Sequence, residues 1–349
     1  MHPLTRILLR SLPFLAAWCL HAADDIAPVG LSDFWRYLGQ RADAPLPDRW
    51  QDASFDDSEW YSGPSGFGVT TYGESTRLPS TNGWERVLLR TSFVVGDGPR
   101  SGRLSLRADY GGGFVAWING VEVARRGLPG LPGSPIPLQT DAAPRPAGSA
   151  ELLDLGPAEG LLRAGTNVLA VQVHADNVYS RWPVFTAELL VGFTRAPYLQ
   201  NVSSNRAEIL FATPPGTAGR VEFGTFPNLD RRVETPPGTR HLAVLEGLVP
   251  GQRLSYRTVL QSPDGPFASD VRSFRTLPLS GPLTVQVIGD SGGADIWQHR
   301  VTERMAAEPA DLLLHAGDII YPSFHPGLAD IRFLSVQRAV MRQTPGFFA

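Results

Sequence analysis

The stretch "LLLHAGDIIYPS", residues 312–323, decides how the C-terminal part of this chain is read. An apolar run ends abruptly in Gly317-Asp318, and Tyr321 follows three residues after the aspartate. A buried strand gains nothing from a carboxylate at its tip unless something cationic stands there. A second stretch, "LTVQVIGDSGG" (residues 283–293), repeats the form, with Gly289-Asp290 closing another apolar run. Between them "ADIWQHRVTERMAAE" shows helical spacing through Ile296, Val301 and Met305. Strand, helix, strand predicts a parallel βαβ unit with both sheet faces covered. The separation of Asp290 from Asp318 suits such a unit of about 30 residues. In open α/β sheets functional groups collect at the carboxyl ends of strands, and both aspartates fall there.

Upstream, residues 194–278 read as β-structure. "RAPYLQNVSSNRAEILFAT" gives two strands, "RVEFGT" a third, and "LAVLEGLVPGQRLSYRTVL" follows. In the last of these, Leu245, Leu248, Pro250 and Tyr256 resemble the turn and tyrosine of a fibronectin type III sandwich. That resemblance implies a loop tyrosine whose hydroxyl bonds back to nearby backbone. "APYLQNV", "VEFGT" and "LVPGQRLSYR" also resemble the N-terminal domain of purple acid phosphatases.

Residues 26–192 read as short alternating strands between turns. In "FVAWINGVEVA" (residues 114–124) an Asn119-Gly120 turn sits between alternating arms, a strong short-range hairpin signal. "GTNVLAVQVHA" supplies another strand, and a long Pro/Gly-rich connection lies between the two. The pattern predicts a β-sandwich. "FDDSEW", "ADYGGGFVAWINGVEVAR" and "GTNVLAVQVH" resemble the galactose-binding-like jelly-roll modules of exported bacterial hydrolases. This chain departs from that family at Asp109-Tyr110-Gly111, where members read Asp-Asp-Gly.

The N-terminus predicts a signal peptide over residues 1–22. Arg6 and Arg10 form a basic start, "SLPFLAAWCL" an apolar centre, and Leu20-His21-Ala22 a small-residue cleavage site. The apolar run is too short to span a bilayer, and the expected location is secreted or periplasmic. Cleavage removes two arginines and no acid, so the mature chain lies further on the acidic side than the full-length net charge of −3. That speaks against a nucleic-acid partner. Cleavage also removes the single cysteine, Cys19, which leaves packing alone to hold the protein together. The sequence has no lysine, and all 31 basic residues are arginines.

"GDSGG" is also the string around the nucleophile of chymotrypsin-like serine proteases, which here would be Ser291. Such a protease needs a histidine on an earlier β-barrel and strands after the glycines. This chain has neither feature. Asp290, Asp318 and Tyr321 make a better constellation. Carboxylates at adjacent strand ends hold hard cations, one carboxylate can bridge two ions, and a phenolate is a good ligand for ferric iron. The glycines before each aspartate allow a sharp turn and leave room for ions. "GDSG" and "GDIIY" at this spacing resemble the first two metal motifs of the metallophosphoesterase superfamily. The Gly-Asp-x-x-Tyr form is similar to the purple acid phosphatase branch.

That resemblance implies a metal-dependent phosphoric ester hydrolase with a dinuclear centre, iron beside a second divalent ion (zinc, manganese or iron). Asp290 would bind the first metal, Asp318 would bridge both, and Tyr321 would bind the iron. His299, His315, His325 and His174 read as structural or solvated. The ending "RQTPGFFA" resembles the approach to the family's third motif. On that resemblance the chain is a fragment, inactive by itself, whose catalytic residues lie beyond Ala349. The expected architecture is therefore a jelly-roll sandwich (26–192), a fibronectin-like sandwich (194–278) and the start of an α/β metallophosphoesterase domain (281–349). The expected partners are a phosphate ester and a glycan at the first module, with no nucleic acid and no membrane span. The competing expectation is an exported carbohydrate- or surface-binding β-sandwich protein with a vestigial phosphoesterase domain. An exposed aromatic platform would favour it, and Trp84, Trp117 and Trp182 are its candidates.

Overall fold

The computed structural model describes residues 26–348 apart from 42, 70–73, 80–82, 98–100, 180–181 and 323–324. The signal-peptide reading therefore lies outside the described residues. Most of the protein is antiparallel β-sheet, and the first α-helix among the described residues is Ile296–Ala307.

Two sheets face each other in the N-terminal part. The six-stranded one runs Tyr61–Pro64, Phe34–Gln40, Arg86–Val95, Gly165–His174, Gly113–Ile118, Val121–Arg126 in spatial order. The five-stranded one runs Thr76–Arg77, Phe67–Gly68, Val184–Val191, Arg103–Gly111, Glu151–Pro157. Successive side chains of a strand point to opposite faces. Leu89, Phe114, Ala116, Leu169 and Val171 accordingly point inward to meet Leu106, Ala108, Phe185 and Ala187 of the second sheet. Their alternates Leu88, Val115, Trp117, Val168 and Ala170 point the other way, under a lid that brings in Trp50, Trp60 and Leu128. The six-stranded sheet is thus apolar on both faces. The Asn119-Gly120 turn closes the hairpin as its sequence requires, both residues having positive φ (52° and 85°).

The next unit is also antiparallel. Its strand Arg206–Gly224 is one continuous element with register shifts between Ala212 and Gly219, so "RVEFGT" continues the preceding strand instead of starting a new one. The irregularity lets a single strand pair with Arg231–Glu246 along its length, with Arg195–Gln200 at one end and with Arg253–Ser262 at the other. Its core gathers Leu199, Ile209, Val221, Leu245, Leu254 and Phe274. Tyr256 departs from the sequence expectation. It lies within the strand Arg253–Ser262 at 1% exposure, and its hydroxyl donates to the carbonyl of Arg342 at 2.6 Å, far along the chain. The bond ties this sheet to the C-terminal segment and does not close a local corner.

The C-terminal segment contains three parallel strands in the order Val285–Ile288, Leu312–His315, Gly346–Phe348, with the helix Ile296–Ala307 crossing over between the first two. Asp295 caps that helix by accepting from Gln298 N. The expectation that both sheet faces are covered fails. Val285 and Val287 are 41% and 68% exposed, and Leu314 and Phe347 beside them are 40% and 43% exposed. The helix presents His299 and Thr302 to the interior, while Val301 is half exposed, because residues three apart share a face and Val301 lies off it.

This segment is fastened to the sandwiches by charge. Glu188, fully buried on the strand Val184–Val191, accepts from Arg107, from Ser335 Oγ (2.6 Å) and from Arg338 Nη2 (2.9 Å). Asp330 takes a two-pronged bond from Arg195 (2.6 and 3.0 Å), and Arg342 pairs with Asp270.

Candidate functional site

The two Gly-Asp turns lie side by side because parallel pairing continues beyond the strand ends. Ala316 N donates to Ile288 O, Asp290 N to Gly317 O and Ser291 N to Asp318 O. Asp290 and Asp318 both adopt left-handed backbone (φ 59° and 55°), a conformation that costs a non-glycine residue roughly 1–2 kcal/mol. The turn points their carboxylates the same way. The Tyr321 hydroxyl donates to Asp290 Oδ1 in a short bond and lies 2.8 Å from Asp318 Oδ2. Hydrogen bonding to Asp290, then to Asp318, holds the phenol pKa well above its ordinary value of 10. All three residues singled out in the sequence meet at one exposed corner.

The corner as described does not complete a dinuclear metal centre. It offers two carboxylates and one phenol, with the phenol proton held between the carboxylates. Among the described residues no group of three or more His, Cys, Asp and Glu side chains is placed to hold an ion. Two hard ions need about four to six donors each.

Of the two glycines that precede the aspartates, Gly317 takes the left-handed φ (109°) that a sharp turn requires, and Gly289 does not. A methyl group on Gly289 would meet only ordinary contacts at 3.5 Å, whereas one on Gly292 would fall 2.2 Å from the Ile320 backbone. The close approach of the two turns therefore depends on Gly292, whose carbonyl also accepts from Tyr321 N (3.2 Å). Gly292→Ala is expected to cost about 1–3 kcal/mol and Gly289→Ala less than about 0.5 kcal/mol. Urea denaturation of the two variants makes the comparison, and equal losses would contradict it.

Behind the corner, Ser291 Oγ and His315 Nε2 are 2.6 Å apart and both residues are buried. Gly317 N donates to His315 Nδ1 (3.3 Å), which places the ring proton on Nε2, aimed at the serine oxygen. Burial lowers the histidine pKa. A base that abstracts a hydroxyl proton must accept it, so this pair braces the two turns and leaves Ser291 unactivated. Sequence reading missed the contact because Ser291 lies in the turn after one strand and His315 on the next, and only the register of those strands aligns them.

A second feature lies on the rim of the N-terminal sandwich. Tyr37 and Tyr61 are cross-strand neighbours with ring centroids 5.5 Å apart and planes tilted by 30°. Tyr61 and Trp84 follow at 6.1 Å and 41°. Tyr61 is 59% exposed, and the Trp84 ring lies against the backbone of Gly39, where a Cβ would come within 1.8 Å of it. Gln40, next to Gly39, accepts from Arg86 Nη2 at 3.0 Å. Of the tryptophans named from sequence, Trp117 is buried against Trp50 (5.4 Å), Trp182 is half-buried, and Trp84 alone joins this ladder. Tyr37 and Tyr61 went unnoticed because strand register, absent from the sequence, makes them neighbours.

No protein-family model and no curated protein matches the chain. Solved structures do. A glycosyl hydrolase family 2 member from Bacteroides cellulosilyticus aligns with 90% of this chain and 45% of its own, at 14% identity and a TM-score of 0.38. The β-glucuronidase of Bifidobacterium dentium aligns with 92% of this chain and 60% of its own, at 10% identity and a TM-score of 0.38. PhoD aligns with 45% of this chain and 38% of its own, at 16% identity and a TM-score of 0.36. The chain thus spans under half the length of the family 2 glycosyl hydrolase. The expectation of a metal-dependent phosphoric ester hydrolase is corrected here. Structures aligned along about nine-tenths of the chain are mostly glycosyl hydrolases and β-glucuronidases. No described helix is long and apolar enough to cross a membrane.

Proposed function

We propose that this chain is an exported carbohydrate-binding β-sandwich protein whose N-terminal module holds a glycan on the Tyr37–Tyr61–Trp84 ladder. The observation that carries this reading is the ladder itself, with Tyr61 59% exposed and an aromatic neighbour on each side. A sugar ring has an apolar C–H face and a polar rim. Aromatic faces pack on the former, while polar groups at the rim meet the hydroxyls. Water wets a single exposed aromatic at little cost, but three rings held in a row present a preformed surface and lose little entropy on binding. Export is part of the proposal, and the exported protein should begin near Ala23 by mass spectrometry.

The test is affinity electrophoresis against a panel of neutral soluble polysaccharides. Tyr61→Ala and Trp84→Ala should each weaken retardation by about tenfold, equivalent to about 1.4 kcal/mol. Gly39→Val should do the same by pushing the Trp84 ring off the strand. Near-ultraviolet circular dichroism establishes that each variant stays folded. Retardation equal to wild type in all three variants, or none by the wild type itself, would sink the reading.

A further inference from the structure

We propose that the cleft where the two sandwiches meet is a second subsite, which takes one neutral sugar ring. The inference rests on the carbohydrate-binding reading but on a different part of the molecule. The cleft has a volume of about 220 Å³. Sites for drug-sized ligands run to roughly 300–1,000 Å³, so this one has room for a single pyranose or a small polyol and not for a chain.

Its walls come from both units. From the first, Arg103 binds Asp154 through two bonds of 2.7 Å. From the second, Asp264 accepts from Arg103 Nη1 at 2.9 Å, so one guanidinium spans the junction. Gly102 N donates to Asp264 O (3.1 Å) and fixes the turn that carries this aspartate. Pro214, Pro215 and Pro263 supply the apolar surface. Thr217, 1% exposed, also lines the cleft, and its hydroxyl has no hydrogen-bond partner among the described residues. A buried hydroxyl without a partner costs free energy, which a ligand or ordered water at this place would recover.

The chemistry selects the ligand. An ionised carboxylate offers about four acceptor positions. The described bonds use one on the Asp264 side chain and three on that of Asp154, through Arg103 and Gly156 N. The unused positions accept from sugar hydroxyls, and proline rings pack against the C–H face. One guanidinium against two carboxylates leaves an excess negative charge, which repels a uronate or a sugar phosphate. Neutral hexoses fit and acidic sugars do not.

Saturation-transfer NMR and titration calorimetry on the full chain test this with D-galactose, D-glucose and D-glucuronate. A neutral hexose should bind in the millimolar range, and glucuronate at least tenfold more weakly. Pro215→Trp, which fills the cleft from an exposed position and leaves the ion pairs alone, should abolish hexose binding. Asp264→Asn should weaken it about fivefold. Pro215→Trp should leave polysaccharide retardation by the ladder unchanged while Trp84→Ala reduces it, which separates the two sites. Hexose binding retained in Pro215→Trp and lost in Trp84→Ala would overturn the cleft and leave the ladder standing. No hexose binding by the wild type would also overturn it, and polysaccharide retardation then decides the fate of the broader reading.

Discussion

Glu188→Ala is expected to destabilise the protein by about 3–5 kcal/mol, because it removes the buried carboxylate that two buried arginines share. Glu188 is fully buried, and Arg107 and Arg338, its partners, have side chains only 5% and 11% exposed. Ser335 Oγ loses its acceptor as well. Glu188→Gln keeps acceptor oxygen without charge and should cost less. The consequence reaches beyond one bond, since Arg107 also donates to Thr194 O and stands 3.8 Å from Asp330. This cluster joins the first sandwich to the helical part of the C-terminal segment. Hydrogen exchange should therefore accelerate in residues 330–341 before it does in the strand Gly165–His174. Urea midpoints within about 0.5 kcal/mol of wild type, the usual range for a surface site, would show that the cluster carries no such weight.

Acid should unfold the protein well above the range set by its carboxylates. His174 is 4% and His299 7% exposed, and both pKa values are pushed down to about 4 from the ordinary 6.5. Burial is the main cause in each case. At His174 the bond to Thr140 O opposes it, the Arg86 guanidinium adds to it, and Asp141 opposes. Arg338 adds to it at His299, with Glu188 and Asp295 opposing. The remaining ring nitrogens give no place for a second proton. Nδ1 of His174 donates to Thr140 O (2.8 Å) and Nε2 accepts from Gln172 (2.7 Å), so a second ring proton would point at an amide donor. Nε2 of His299 has no hydrogen-bond partner among the described residues.

The sign follows from linkage. A depressed folded pKa means that the unfolded chain takes up the proton first, so stability is intact above pH 6.5 and is lost as pH falls toward 4. Each histidine accounts for about 3 kcal/mol over that window, at 1.36 kcal/mol per pH unit. Urea titrations at pH 7.5, 6.0 and 5.0 should show a steepening loss, and His299→Leu should flatten it by about half. A pH-independent midpoint between 7.5 and 5.0 would rule this out.

Local chemistry was legible in the sequence wherever a residue acts through its own backbone. Asn119-Gly120 specifies its turn because few residue pairs tolerate positive φ at both positions, and the hairpin is there. The helix after Gly293 and the parallel strands around it follow from hydrophobic spacing, and the convergence of Asp290, Asp318 and Tyr321 follows from that topology. The tertiary structure decided everything that depends on register or on distant partners. It placed Tyr61 beside Tyr37 and Trp84, and it buried Trp117, although nothing local distinguishes these aromatics. It sent the Tyr256 hydroxyl to Arg342 and set Ser291 against His315. It put the phenol proton between two carboxylates and left one face of the parallel sheet bare. The physical reason is common to all of these. Backbone preference is a property of a few consecutive residues, whereas exposure, hydrogen-bond partners and charge pairing are set by which strands lie side by side. A one-residue slip in register would turn each of these side chains to the opposite face.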